Sequence, residues 1–242
     1  MIGKRGSHVG VMLSFVIFVT LLIFLYSAIQ PLTKTKKEKQ SLLDFLKVEL
    51  IKKFSADLTT VTISVDDSIT YDDTINCLTV TNEGIFGTNY PLPLFSIVKG
   101  EGNIIIPSNH PNNILTIEWN YPNRYKKFFK IYYSDQRFDT SLTSNSICIT
   151  PIINLVRTNE YIFESKINEI ALQGYETFKN ELKITPGSEF GFIFSDDDTT
   201  TNDILMNDNT PKGIDIYSEQ IPIQYIDSHA DTKSGFLTIK VW

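Results

Sequence analysis

The sequence has little of what builds a catalytic or metal site. Its 242 residues include only two cysteines, three histidines and two tryptophans. The two cysteines stand far apart, which makes no zinc-binding pattern, and the histidines are scattered along the chain. There is no Gly-x-Ser-x-Gly elbow, no His-Glu-x-x-His pair and no glycine loop of the kind that cradles phosphate. The sequence therefore predicts no catalytic residues, no metal site and no cofactor.

Its acidic clusters also lack the spacing of a calcium loop. Asp66-Asp67, Asp72-Asp73 and the run 196–198 are not part of a twelve-residue loop with a central glycine and a terminal glutamate. We interpret them as solvated loops. The chain has no Asn-x-Ser/Thr sequon, so N-glycosylation at the usual acceptor is not expected. It also has no internal repeat and no Gly/Ser linker that would divide it.

The net charge of −6 is distributed unevenly. Residues 1–55 carry nine Lys/Arg and three Asp/Glu, whereas residues 56–242 carry 13 and 25. The first part is therefore basic and the second strongly acidic. Nucleic-acid binding depends on neutralising phosphates with basic residues, so the acidic part argues against a nucleic-acid partner.

A long apolar run near the N-terminus is the strongest signal. The stretch from Val9 to Ile29 contains no charged residue, and at about 1.5 Å rise per residue its helix can span a hydrocarbon core of roughly 30 Å. The run follows a basic flank, residues 1–8. We predict a transmembrane helix over residues 9–30. A cleaved secretory signal is the alternative, but the run exceeds the usual apolar region of about 7–15 residues and ends without a small-x-small site.

Small residues recur at every fourth position near the start of this run. Gly6, Gly10 and Ser14 would lie on one helical face, where a second helix can approach closely. This spacing predicts lateral association through Gly10 and Ser14. The alternative is that glycine and serine are simply common in membrane helices.

The pattern after Pro31 is that of an amphipathic helix. Leucines and Phe54 recur at three- and four-residue intervals, with lysines on the other faces. A proline at this point predicts a bend, although its ring is tolerated as the first residue of a helix. We therefore predict a stalk helix over residues 31–55 that continues the membrane helix.

These features together resemble type IV pilin-like proteins, especially the archaeal pilin and archaellum-associated kinds. The resemblance covers about 55 residues and rests on Lys4-Arg5-Gly6 before the apolar helix, Pro31 beyond it, the amphipathic continuation and a β-rich head. In that family a membrane peptidase cuts on the cytoplasmic side after the basic-glycine flank. The resemblance implies a leader over residues 1–6 that a prepilin-type peptidase removes by cutting between Gly6 and Ser7.

The chain also differs from parts of the family pattern. The fifth residue after Gly6 is Val11, where bacterial major pilins carry glutamate. The glutamine-containing segment that follows the cut in many archaeal examples is missing too. An unprocessed protein therefore stays open as the alternative.

Residues 56–242 have the pattern of a β-rich head. Short alternating or apolar runs are separated by turns rich in glycine, proline and asparagine. One amphipathic segment from Ser165 to Leu182 predicts an accessory helix that ends before Pro186-Gly187. The predicted class is α+β, with a mostly antiparallel sheet or sandwich. The predicted strands lie within 61–65, 75–80, 94–98, 102–106, 114–119, 126–133, 189–194, 214–217, 221–226 and 235–242.

Cys77 and Cys148 both fall in strand-like runs. In a head outside the cytosol their natural use is a disulfide, which constrains the unfolded chain. Two buried free thiols in the core are the alternative.

The function predicted from these features is a membrane-anchored surface protein. Lys4 and Arg5 before the anchor favour a head outside the cytoplasm, whereas the lysines from Lys34 to Lys39 favour the opposite orientation. We expect a pilin-like structural subunit or a minor component of a surface filament, in contact with the lipid bilayer and with copies of itself or other pilin-like subunits. The alternative is an unprocessed single-pass surface protein whose head binds a protein or envelope partner. An ectoenzyme ranks third.

Overall fold

The protein consists of one long helix and a β-rich head. The computed structural model describes residues 7–66, 75–87, 95–110, 113–119, 127–138, 147–196, 203–207 and 211–242. Helix α1 spans Ser7–Phe54. The other α-helices among the described residues are short: α2 (Asn82–Phe86), α3 (Glu164–Gln173) and α4 (Tyr175–Glu181). This arrangement confirms an α+β protein with a sheet-built head.

Helix α1 is continuous over 48 residues, so the apolar segment and the stalk belong to one helix. At about 1.5 Å per residue it is about 72 Å long. Pro31 is one of its residues, and the helix has no break there. At its end, the hydroxyl of Ser55 donates to the carbonyl of Ile51 at 2.9 Å, and the chain enters the first strand without a loop.

Among the residues that the structure describes, the larger sheet has nine strands in the order β11-β10-β13-β12-β9-β1-β7-β3-β4. The pairings between its described strands are antiparallel except one, in which Tyr225 and Ile226 pair with Ile162 and Phe163 in parallel. Its strands are β1 (Ser55–Ser64), β3 (Phe95–Lys99), β4 (Ile105–Ile106), β7 (Phe128–Ser134), β9 (Ile152–Phe163), β10 (Phe190–Asp196), β11 (Ile204–Met206), β12 (Tyr217–Ile226) and β13 (Thr232–Val241).

The smaller sheet has four strands in the described part of the chain, in the order β5-β6-β2-β8. Strands β5, β6 and β2 pair antiparallel, whereas β2 and β8 pair parallel. Its strands are β2 (Ile75–Thr81), β5 (Ser108–Asn109), β6 (Ile114–Glu118) and β8 (Ile147–Ile149). The head is therefore mostly antiparallel, as predicted.

Two cores cover one face of the large sheet, and a third cluster covers the other. Along β1, Leu58 belongs to the third cluster while Val61 and Ile63 belong to a core shared with the small sheet, because alternate residues of a strand point to opposite faces. We call that shared core the sandwich core; it also contains Leu78, Val80, Val98, Leu115, Ile117, Trp119, Phe129 and Ile131. The helix-side core contains Leu43, Leu46, Leu50, Phe54, Ile167, Phe178, Phe190, Phe192, Leu237 and Ile239.

The position of the stalk bears on where the head begins. The sequence predicts that the stalk ends and the head begins after residue 55. Helix α1 does end there, at Phe54, but its last turns are buried in the helix-side core. The core of the head therefore includes residues from Leu43 onward. A polypeptide beginning at residue 56 would lack one wall of that core.

The accessory helix differs from the sequence prediction. Gly174, whose φ is +95°, separates α3 from α4, so the segment forms two short helices instead of one. Glycine adopts this backbone conformation at no steric cost. Ser165 lies inside α3, where its hydroxyl donates to Gln136 Oε1 at 2.9 Å, so it does not cap the helix as predicted.

Strand β9 is the longest strand among the described residues, and the sequence pattern does not predict it. Its residues 152–158 are exposed on both faces, so their side chains show no alternation between apolar and polar. It pairs with β1 along almost its whole length, and that pairing holds it in place. Periodicity detects strands with one buried face, and this strand has none over most of its length.

Candidate anchoring helix and its attachment to the head

The first half of α1 has no cover from the rest of the described chain. The segment from Gly10 to Ser27 has a mean hydropathy of 2.4, and none of it is buried. Phe24 is 72% exposed and Met12 73%. The hydroxyl of Thr20 donates to the carbonyl of Ile17 at 2.9 Å, so this polar group is satisfied within the helix. By length and composition, the segment is one helix that can cross a membrane.

The second half of α1 is attached to the head by apolar packing. Leu46, Leu50 and Phe54 are completely buried, and Leu43 nearly so. The ring of Phe54 meets that of Phe192 edge-on, with centroids 5.3 Å apart. The spacing of these four side chains places them on one helical face, which rests on α3, β12 and β13. Since each fully buried apolar side chain contributes roughly 1.5–3 kcal/mol, this face fixes the helix to the head.

Three stalk lysines add polar contacts along the same attachment. Lys39 Nζ donates to the carbonyl of Trp242 at 2.8 Å, near the end of β13. Lys47 pairs with Glu219 at 2.5 Å, and Lys53 with a carboxylate of α4 at 3.4 Å. In the ion pairs of Lys47 and Lys53, both side chains are more than one-third exposed. Ion pairs at such exposed positions contribute about 1 kcal/mol or less to stability. They specify how the helix lies on the head more than they stabilise it.

A hydrogen-bonded cluster supports the carbonyl that Lys39 contacts. The backbone of Glu189 pairs with that of Trp242 in both directions, at 3.0 and 2.9 Å. The carboxylate of Glu189 accepts from Lys179 Nζ at 2.6 Å and from the hydroxyl of Tyr175. These donors lower the pKa of Glu189. Burial, together with the bond to Glu189, raises the pKa of Tyr175.

The structure leaves the proposed packing face of the anchor without a neighbour. An added Cβ at Gly10 would have no atom within 4 Å, so nothing in the described chain requires glycine there. Ser14 is exposed on the same helix. Association through Gly10 and Ser14 stays a prediction. Of the residues at the implied cleavage site, Ser7 is the first residue of α1, and Gly6 lies outside the described residues.

Cys77 and Cys148 form a disulfide, with the two Cα atoms 4.5 Å apart. They are register partners on the adjacent strands β2 and β8, so the bond fastens the three-residue edge strand of the small sheet. This confirms the predicted disulfide and removes the alternative of two free thiols.

A buried lysine is the polar feature that sequence reasoning missed. Lys99 has a side chain only 1% exposed, and its Nζ donates to Asp231 Oδ1 at 2.7 Å. The amide of Asn103 donates to the same oxygen, and Lys99 also lies 5.5 Å from the ring centre of Tyr132. Burial alone would raise the pKa of Asp231, but the donors Lys99 and Asn103 outweigh it and lower the pKa. The cluster fastens the turn between β12 and β13 onto β3.

No signal in the sequence marks this pair, because 132 positions separate Lys99 and Asp231. The lysine and the carboxylate of this pair satisfy one another, which is the arrangement of a structural ion pair and not of an activated nucleophile.

A second titratable group with a shifted pKa is Glu164. Its pKa is raised, first by burial and then by the nearby carboxylates of Asp227 and Asp196.

The acidic clusters form no metal site in the part of the chain that the structure describes, where no group of three or more metal-ligating side chains occurs. The cluster at Asp72-Asp73 lies outside the described residues, as do Asp67 and two of the three aspartates at 196–198.

A cavity of about 570 Å³ opens beside Lys39, bounded by Glu189, Ile214, Tyr217 and Trp242.

No family model, curated protein or solved structure matches this chain. The anchoring helix and its attachment to the head are therefore the features that bear on function.

Proposed function

We propose that the chain is a pilin-like structural subunit, or a minor component, of a cell-surface filament. Its N-terminal helix holds it in the cell membrane, and the head lies outside the cytoplasm. The observation that carries the proposal is the division of α1, in which an exposed apolar half continues directly into a half that is buried in the head.

The exposed half requires a cover. An apolar helix surface of this length is unfavourable in water, and either lipid tails or other apolar helices can remove it from water. Lipid covers the helix of a membrane-resident subunit, and neighbouring copies of the helix cover it inside a filament. Because the second half of α1 is fixed in the head, the head is joined to its anchor through the same helix in both settings.

The proposed processing would keep the anchor. A cut by a prepilin-type peptidase between Gly6 and Ser7 would leave the apolar segment from Gly10 to Ser27 in the mature chain. The disulfide between Cys77 and Cys148 supports a head outside the reducing cytosol.

The alternative is an unprocessed single-pass surface protein whose head binds a protein or an envelope component. The observation that favours it is Val11, which stands where bacterial major pilins carry glutamate.

N-terminal sequencing of the protein purified from its membrane distinguishes the two proposals. A mature chain that starts at Ser7 requires the peptidase, whereas one that starts at Met1 excludes pilin-type processing. Protease added to intact cells should remove the head. A head that stays protected until the membrane is broken would contradict the surface location in both proposals.

Cross-linking tests assembly. Gly10→Leu adds apolar surface, so the variant should stay in the membrane, but the larger side chain should keep neighbouring helices apart and reduce cross-linking between copies. Val19→Leu, at a site outside the small-residue face, is the matched control. Equal cross-linking of Gly10→Leu, Val19→Leu and the parent would contradict packing through Gly10, and a monomeric parent would make the single-pass protein the better proposal.

A further inference from the structure

Strand β9 has a long edge that no other strand covers in the described part of the chain. It pairs with β1 along one side, but on the other side β12 pairs only with Ile162 and Phe163. The run from Ile152 to Tyr161 is therefore open on that side, and we call it the open edge. The strands that end the two described sheets, β4, β11, β5 and β8, have three residues or fewer. Proteins keep exposed edges short because a long one is a template for another strand.

The hydrogen bonds of β1 show which backbone groups of β9 face the open side. The carbonyl of Asp57 accepts from the hydroxyl of Ser134 in β7 at 2.8 Å, so Asp57 points away from its register partner Glu160. Partners in an antiparallel ladder point either toward each other or away from each other, and the direction alternates along the strand. The N–H and C=O groups of Val156, Thr158 and Glu160 therefore project from the open edge, where β12 does not pair with them.

A proline in β12 helps to keep this edge unpaired. The N–H of Asp227 donates to the carbonyl of Asp231 in the turn to β13, so the alternate residues of β12, including Pro222, point toward β9 instead. If the parallel register between β9 and β12 continued, the N–H of residue 222 would face the carbonyl of Thr158. Proline has no N–H, so β12 cannot supply that bond.

The side chains at the open edge are apolar on both faces of the strand. Leu155 is 59% exposed and Val156 41%, and they point to opposite faces because they are adjacent in the strand. A helix or a lipid surface would cover one face and leave the backbone groups of the edge without partners. An added strand supplies hydrogen bonds to those groups, and its own side chains lie beside both faces. The open edge therefore fits an extended strand.

Two carboxylates at one end of the open edge indicate the charge of that strand. Asp57 and Glu160 are exposed register partners, so their side chains lie on the same face, and no described residue forms an ion pair with either. Like charges directly opposite each other are destabilising, and a basic side chain on the added strand would relieve the repulsion. A second copy of β9, paired antiparallel about Thr158, would instead place Val156 beside Glu160 and add two more carboxylates.

We propose that the open edge binds an extended segment of another protein by strand addition. The bound segment carries apolar side chains beside Leu155 and Val156 and a basic side chain beside Glu160. The inference concerns the head alone and holds for either of the two proposed functions, because it requires neither the anchor nor a filament.

The test uses the full chain in detergent micelles with a tethered probe peptide. The two cysteines of the sequence are joined to each other, so Asn154→Cys, at an exposed site of β9, adds a single free thiol. Through a short flexible linker this thiol carries a peptide of valine, threonine and one lysine. The tether raises the local concentration of the peptide to about the millimolar range. Amide hydrogen exchange is then followed residue by residue.

We expect the amides of Val156, Thr158 and Glu160 to exchange about 10-fold more slowly, which corresponds to a local peptide concentration about 10-fold above the dissociation constant. The amide of Arg157, which points to β1, should not change. A peptide with proline at alternate positions cannot form the ladder and should give no slowing. The lysine peptide tethered to Ile104→Cys, an exposed site elsewhere on the head, should also give none.

Charge reversal tests the basic side chain of the bound segment. Glu160→Lys should reduce the slowing that the lysine peptide causes at Val156 and Thr158, and a peptide with glutamate in place of lysine should restore it. Glu176→Lys, an equal charge change at an exposed site of α4, should leave the slowing unchanged.

Unchanged exchange with the tethered lysine peptide would overturn the proposal, and so would slowing by the proline peptide or equal effects of the two glutamate variants. Slow exchange of the three amides in the parent without a peptide would also overturn it. Slowing that grows with protein concentration would identify a second copy as the occupant, whereas slowing at every concentration would show that the chain covers its own edge. These outcomes do not depend on processing or assembly, so a failure here leaves the proposed filament function to its own tests.

Discussion

The two halves of α1 are both rich in large apolar residues, yet their surroundings are opposite. From Gly10 to Ser27 the apolar side chains surround the whole helix, and none is buried. From Leu43 to Phe54 they lie on one face, which the head covers. The difference shows how one continuous helix serves two environments. A helix that is apolar on all sides is covered by lipid or by several other helices. A helix that is apolar on one face packs that face against a fixed partner in the same chain.

The largest effect is expected from removing each half separately. A chain that begins at Lys36 keeps Leu43, Leu46, Leu50 and Phe54 and should unfold cooperatively in a thermal melt followed by circular dichroism. A chain that begins at Ala56 loses all four, at about 2–5 kcal/mol each, and the combined loss of about 8–20 kcal/mol is as large as the usual total stability of about 5–15 kcal/mol. It should show no cooperative transition. If the shorter chain melts cooperatively, the stalk is not part of the core.

The next test compares two phenylalanines of the same helix. Phe54→Ala should lower the free energy of unfolding by about 3–5 kcal/mol, because Phe54 is completely buried. Phe24→Ala should change it by less than about 0.5 kcal/mol, because Phe24 is exposed to the surroundings of the anchor. Denaturant titration of both variants in detergent measures the difference. Comparable losses would mean that the anchor also contacts the head.

The disulfide tests whether the helix-side core and the sandwich core unfold together. Replacing both Cys77 and Cys148 by serine should cost roughly 2–4 kcal/mol, since the bond closes a long loop. Trp119 is buried in the sandwich core, and Trp242 lies near the helix, so each reports one region when the other is replaced by phenylalanine. We expect the two transitions to shift together. If only the Trp119 transition shifts, the two cores are separate cooperative units.

The smallest expected effect depends on pH and concerns the cluster beside the stalk. The pKa of Glu189 lies below its ordinary value of 4.5, so its carboxylate stabilises the fold above that value, and the contribution is lost as the pH falls through the lowered pKa. Glu189→Gln should therefore be less stable than the parent at neutral pH, by about 1 kcal/mol or less because the site is partly exposed. The gap should close in acid.

Denaturant midpoints across this pH range measure the gap, with Glu176→Gln, an exposed glutamate of α4, as the control. A stability difference between the parent and Glu189→Gln that grows in acid would contradict the prediction. In that case, contacts other than the ionised carboxylate would account for the effect of the substitution.

Much of the fold could be predicted because its strands and helices carry their own patterns. Strands β2, β6, β7, β10 and β13 were located to within a few residues, since each alternates or is apolar throughout. β9 was missed because most of its length is exposed on both faces. The break at Gly174 was missed because the apolar stripe continues across it, and only the backbone conformation reveals the two helices.

At the candidate site, the sequence located the apolar helix, the amphipathic stalk and the two cysteines. It did not show that the stalk is buried in the head. A leucine stripe predicts that a helix packs against something, but not which element it packs against. The structure supplies that partner as α3, β12 and β13. It likewise joins Lys99 to Asp231 across 132 positions, a contact that no local pattern can indicate.

The sequence by itself determined the local properties of this protein: an uncharged run long enough to cross a membrane, a helix period after it, strand periods in the head and a basic stalk before an acidic head. These follow from the preferences and spacing of neighbouring residues. Only the tertiary structure decided which apolar half of α1 is covered, which lysines are already paired and which segment lies beside Lys39. Those are contacts between distant residues, and they exist only once the whole chain has folded and the two sheets have packed.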